Sequence, residues 1–308
     1  MKIYIIYFLV VHLMMASLLA QSQGLGTSLA NYFDRVRNGI HTELPHELTD
    51  PENENAILDL LRPYFRDTIQ AVRKKAYEVT YFASSRSENT TFRNRGINTL
   101  ISACSENESE IKGMVLEFLT GFGKEDFSVA AKDSLRILVR NQIPHFDRLL
   151  KLAGFLDLSD LIPDILPFSR PGNPAQIRWA AILSLARMSE RLSIAELMKR
   201  VKKLPVNDDL VYKVFPDLIY TRQPEPLEYI IETLQSDAKN CMSADAEREI
   251  PVLCGYRIME LLAPVIDGYP LQLDKSGDII TEDYSTALES VRHWFQINKT
   301  YKILNDKY

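Results

Sequence analysis

Asn173-Pro174-Ala175-Gln176-Ile177-Arg178-Trp179-Ala180-Ala181-Ile182-Leu183-Ser184-Leu185 is the stretch that decides the fold. Asn-Pro starts a helix cleanly, because proline in the first turn lacks only an N–H that would be unpaired there anyway. Ile177, Ala181, Leu185 and Met188 then fall on one stripe at helical spacing, an apolar face that must be buried against something. The small residues Ala180, Ala181 and Ser184 let a neighbouring backbone approach that face closely. Arg178 sits one residue off the stripe, placed to reach carbonyls or acids on the next element. The same order of apolar residue, arginine and small residues returns at Val72-Arg73-Lys74-Lys75-Ala76-Tyr77-Glu78-Val79. Weaker copies occur at Phe92-Arg93, Gly96, Thr99-Leu100 and at Ala130, Ser134, Ile137-Leu138, where Ala131 replaces the arginine.

Outward from these stretches, the 3.6-residue period dominates and strands are almost absent. The pattern predicts helices at 53–62, 66–84, 91–104, 108–122, 126–140, 143–155, 174–189, 193–204, 207–221, 225–236, 244–266 and 282–297, with a short leading helix from Ser28 to Val36. Ser109 is expected to cap one helix, Gly121-Phe122-Gly123 to stop it, and Asp126 to open the next. His41 to Glu54 reads as an acidic connector. Pro163, Pro167, Pro171 and Pro174 predict a broken, partly extended link over 157–173. Leu271-Gln272-Leu273, the turn Asp274 to Gly277, and Asp278-Ile279-Ile280 predict a small β-hairpin inserted near the C-terminus.

The Asn-Pro start, the Ile-Arg and Val-Arg pairs and the alanine spacing resemble the first helix of a HEAT repeat. The starts are unevenly spaced, so the resemblance is to a degenerate array over 50–297 rather than to a regular one of about 40–47 residues per repeat. It implies an all-α fold: a right-handed solenoid of stacked antiparallel helix pairs, with the hairpin at 271–280 as an insertion. The expected organisation is a signal peptide at 1–22, a lead and linker at 23–52, a first helical block at 53–156 and the Pro-rich link at 157–173. A second block follows at 174–299, and a tail at 300–308. HEAT-like proteins are mostly binding scaffolds, and the resemblance implies no single activity.

At the N-terminus, Lys2 precedes an uncharged apolar run from Ile3 to Ala20 and the polar exit Gln21-Ser22-Gln23-Gly24. This is the pattern of a secretory signal peptide cleaved after Ser22, with Ala20 as the neighbouring cut and an uncleaved anchor as the alternative. No later stretch is apolar enough to span a bilayer, so no membrane span is expected after cleavage. The expected location is periplasmic or secreted. The formal charge is −5, and removing Lys2 makes the chain more acidic, which argues against non-specific nucleic-acid binding. Of the three cysteines, Cys241 and Cys254 form either a disulfide across a short loop in an oxidising compartment or two buried thiols. Cys104 reads as a small buried hydrophobe. Asn89, Asn107 and Asn298 each begin an Asn-x-Ser/Thr sequon, meaningful in a eukaryotic secretory host.

Motifs for chemistry are missing from the sequence: no nucleophile elbow, no H-E-x-x-H, no phosphate-binding glycine loop, no C-x-x-C. His41, Glu43, His46 and Glu47 crowd seven residues, but Pro45 keeps the two imidazoles off one helix face, so no metal is assigned. Asp274 to Asp278 begins like a calcium loop, yet Ile279 stands where glycine is required and Ser285 where a bidentate glutamate belongs. Lys199-Arg200-Val201-Lys202-Lys203 reads as the solvated end of a helix. No cofactor is expected. The first functional expectation is an exported, non-enzymatic scaffold that holds another envelope or extracellular protein on a concave face, with Trp179, Tyr212, Arg178 and Arg73 as candidate binding residues. The second is an all-α enzyme acting on glycan or cell wall, using an acidic cleft drawn from Asp208, Asp209, Asp217 and Glu225.

Overall fold

The computed structural model describes residues 24–243 and 250–304. The expected signal peptide lies outside the described residues, as do 305–308 of the expected tail. The chain is mostly helical, with one two-stranded antiparallel sheet among the described residues. It divides into two compact units, one reaching to Leu138 and adding Ile143–His145, the other holding Val139–Gln142 and everything from Phe146.

The first unit contains α1 (24–37), α2 (Glu54–Leu61), α3 (Gln70–Ser85), α4 (Thr90–Ser102), α5 (Ser109–Leu119) and most of α6 (Val129–Arg140). Leu25, Leu29 and Phe33 repeat every fourth residue along α1 and pack with Ile57 and Leu61 of α2 and Val72, Ala76 and Val79 of α3. That is the apolar stripe of the Val72-Arg73 pattern, turned inward. The α3–α4 crossing is close because Gly96 has no side chain: a Cβ there would lie 2.2 Å from Ser84 Oγ.

Several boundaries depart from the sequence reading. The 41–54 connector holds two short 3-10 turns, His46–Leu48 and Pro51–Asn53. Ser109 is the first residue of α5 rather than its cap, because its hydroxyl faces His145 Nε2 at 3.1 Å instead of an amide of its own helix. Asp126 does not open α6. It is buried in the 3-10 turn Lys124–Asp126, and Ser128 Oγ accepts the Ala131 N–H at the real start.

The second unit contains α7 (Phe146–Phe155), α8 (Ile162–Ile165), α9 (Ala175–Arg187), α10 (Arg191–Val201), α11 (Phe215–Thr221), α12 (Pro224–Leu234), α13 (Gly255–Leu262) and α14 (Tyr284–Ile297). Its principal contacts join α7 to α9, α9 to α10 and α11, α10 and α11 to α12, α12 to α13, and α13 to α14. The 157–173 link is not extended. It folds into α8 and flanking 3-10 turns, with Pro163 and Pro167 in first-turn positions where proline costs no hydrogen bond. The expected 207–221 helix is a π turn, Leu210–Val214, followed by α11 with Pro216 in its first turn. Proline cannot continue an α-helical ladder, and the widened turn absorbs the defect.

The largest correction falls on the expected 244–266 helix. Strand β1 (Cys241–Met242) pairs antiparallel with β2 (Pro251–Val252), and α13 starts only at Gly255. Residues 244–249 lie outside the described residues. The 271–280 turn closes on a single bridge, Leu273 to Ile279, so the one sheet forms around the cysteines instead. Cys241 and Cys254 are joined in a disulfide, and Cys104 is buried and free.

Candidate functional site

Arg73 is the first of the candidate binding residues along the chain. Sitting near the start of α3, it is only 8% exposed. Its Nη1 donates to the Asp67 carbonyl at 2.7 Å, its Nε to Glu106 at 3.2 Å, and its Nη2 lies 2.7 Å from Glu108. Burial opposes its charge, and the two carboxylates outweigh that penalty, holding its proton more tightly than in water. Arg93 repeats the arrangement on α4, donating to the Ser87 carbonyl at 2.7 Å and to Asp126 at 2.6 Å. In both cases the carbonyl is 6 residues back and the acid 33 residues ahead. In these two copies of the pattern the arginine is thus a bracket between a helix and the entrance of the helix two further on. Arg73 is engaged inside the first unit and is not open to a partner.

Trp179 also turns out to be internal. Half-buried on α9, it donates through Nε1 to Asp217 of α11 at 2.7 Å. Lys151 of α7 reaches the other oxygen of the same carboxylate at 3.0 Å, while Tyr220 Oη donates to the Lys151 carbonyl at 2.5 Å. Asp217 therefore ties three helices together, and Trp179 is one of its supports rather than a free anchor. Arg178 beside it is half-buried, with its Nε enclosed and without a hydrogen-bond partner.

Tyr212 is different. It stands in the middle of the π turn and is 55% exposed. The Arg257 guanidinium lies 5.8 Å from its ring centre, close enough for a cation–π contact. Arg257 also donates to the Met242 carbonyl at 3.0 Å, while Asp208 accepts the Met242 N–H at 2.8 Å. Met242 of β1 is thereby held at both of its backbone polar groups, by Arg257 of α13 and by Asp208 just ahead of the π turn. Exposed Met242 and Ile250 belong to the loop that the disulfide closes, and Tyr284 lies edge-on to Tyr256 with its hydroxyl on Glu260 at 2.9 Å. The result is a surface of tyrosine, methionine, isoleucine and arginine, in which Arg257 and Tyr284 are held by hydrogen bonds and Tyr212 rests against Arg257. Tyrosine, arginine and methionine are the residues enriched where proteins bind each other. Sequence reasoning found Tyr212 but missed Met242, Arg257 and Tyr284, because they come from three later elements whose approach no local pattern reports.

The acids nominated for a cleft do not converge. Asp208 faces Arg257, Asp209 pairs with Lys213, Asp217 is held by Lys151 and Trp179, and Glu225 lies 3.8 Å from Lys202. Each carboxylate has its own cation, and no two stand as an acid–base pair. Among the described residues no group of three His, Cys, Asp or Glu is arranged to hold a metal ion. A groove of about 590 Å³ runs between α12 and the segment after α14, lined by Leu227, Ile231, Phe295, Tyr301 and Ile303. No helix among the described residues is long and apolar enough to cross a membrane. Comparison with protein-family models, with curated proteins and with solved structures gives no match.

Proposed function

We propose that this chain is an exported, non-enzymatic scaffold of HEAT-like helix pairs stacked within each unit, and that it binds another extracellular or envelope protein. The observation that supports binding is the exposed Tyr212 surface, braced by Arg257 and by the disulfide-closed loop. A preorganised aromatic surface loses little side-chain freedom on association, so more of its contact energy appears as affinity. The repeated bracket of Arg73 and Arg93 supports the repeat reading, since one geometry recurs on successive helices. The disulfide suits an oxidising compartment, in keeping with export.

The test is cross-linking of the tagged chain in its native setting, read by mass spectrometry, with Tyr212→Ala alongside. A central tyrosine of this kind contributes about 2 kcal/mol, or roughly thirtyfold in affinity. Capture of one dominant protein that falls by that factor in Tyr212→Ala is the expected result. Equal capture by the variant would remove this surface from the reading.

A further inference from the structure

Three sequons sit in three different surroundings. We propose that Asn89 and Asn107 are acceptors for N-linked glycan and that Asn298 is not. This rests on the export reading, because the transfer takes place only in a secretory lumen.

Asn107 lies between Glu106 and Glu108, whose backbones are extended, with ψ of 155° and 118°. Side chains alternate along extended backbone, so when both glutamates turn inward to Arg73, the residue between them turns out. Asn107 is exposed, and its amide takes part in no hydrogen bond among the described residues. A glycan there leaves the Arg73 bracket intact. Asn89 is the N-cap of α4, exposed, with Oδ1 accepting the Thr91 and Phe92 N–H groups at 3.0 and 3.3 Å. Glycan attaches at Nδ2, so the capping oxygen keeps both bonds. Asn298 is half-buried at the end of α14. Its Nδ2 donates to the Trp294 carbonyl at 2.9 Å, and the residue lines the groove with Phe295 and Tyr301. The nitrogen that would carry the sugar is therefore already committed to closing the end of α14.

The chemistry balances with a lipid-linked oligosaccharide diphosphate as donor. A bond forms between Nδ2 and the anomeric carbon, the bond from that carbon to the diphosphate oxygen breaks, the amide loses one proton, and the lipid diphosphate departs. The sequon hydroxyl of Ser109 meets His145, 36 residues away, in the folded chain. Transfer onto Asn107 therefore precedes that contact, and Asn298 is excluded from the secreted protein because a chain carrying sugar there does not close the end of α14.

The experiment uses the full chain in eukaryotic secretory cells, once with its own N-terminus and once behind a heterologous leader. Secreted protein is treated with peptide N-glycosidase in heavy-oxygen water, which converts each glycosylated asparagine to labelled aspartate. Label at Asn89 and Asn107, none at Asn298, and separate loss of one label in Thr91→Ala and in Ser109→Ala is the expected pattern. Unlabelled Asn89 or Asn107 in the leader-driven chain, or label at Asn298, overturns the proposal. Retention of the chain in the cytosol with its own N-terminus, while the leader-driven chain shows the expected labels, supports the acceptor assignment and sinks only the export reading.

Discussion

Gly154 illustrates how much of this fold is decided by single atoms. It faces α9 from α7, and a Cβ added there would stand 2.7 Å from Ser184 Cα and 2.5 Å from Tyr220 Oη. The hydroxyl is tied to the Lys151 carbonyl and Ser184 Cα is backbone, so neither can swing away cheaply. Gly154→Ala is expected to destabilise by about 2 kcal/mol through overpacking, despite the better helix propensity of alanine. A urea unfolding series measures it: a stabilised variant would show that α7 and α9 do not approach as described. The sequence made Ala180, Ala181 and Ser184 legible as small residues on one side of this contact. It gave no reason to select Gly154 on the other, because a glycine inside a helix carries no address for its neighbour. Arg73 and Arg93 were partly legible for the same reason. The arginine is local to the pattern, whereas its acid lies 33 residues ahead and has no local mark.

Among the elements, the long amphipathic helices follow their periodicity closely, and the departures occur where something other than periodicity acts. Pro251 lies in the interior of the 244–266 helix that apolar spacing suggests, where proline is a strong breaker, and that signal was available. Pairing of Met242 with Pro251 across a disulfide-closed loop was not, since no local pattern reports it. The start of α10 shows an end effect of another kind. Glu190 is its N-cap, accepting the Leu192 N–H at 3.1 Å and the Ser193 N–H at 2.6 Å. Burial pushes its carboxyl up, and the hydrogen bonds from Ser193 and Leu192 outweigh burial, leaving it below the usual carboxylate range. A lowered folded pKa means the cap stabilises fully above the unfolded value of about 4.3 and loses its contribution as pH falls through the folded value. Glu190→Ala is expected to cost about 1 kcal/mol at neutral pH, with the difference from the parent chain shrinking only below about pH 4. Thermal melts across pH would read this directly, and a gap that widens in acid would refute the cap.

At the scale of the molecule, the principal contacts link helices that are neighbours or next neighbours along the chain within each unit. If the units behave as the repeat arrays proposed above, stability is a sum of local terms, each element depending chiefly on what it touches. The helical class was legible in the sequence, since successive helix starts announce helices without saying where one unit ends. The consequence is specific for the disulfide. Cys241 and Cys254 are 13 residues apart, and by the chain-entropy estimate closing so short a loop contributes about 3 kcal/mol. If stability is local, removing the bridge should release its own surroundings and little else. In a Cys241→Ser, Cys254→Ser double variant, amide hydrogen exchange is expected to accelerate in β1, β2 and the start of α13. The α7–α9 pair of the same unit should keep its protection, because no principal contact joins it to that loop. Exposed Tyr212 should lose its brace as β1 loosens, so binding through that surface would weaken together with the local protection. Equal loss of protection in α7 and α9 would instead mean that the second unit unfolds as one body, and local additivity would fail for this chain.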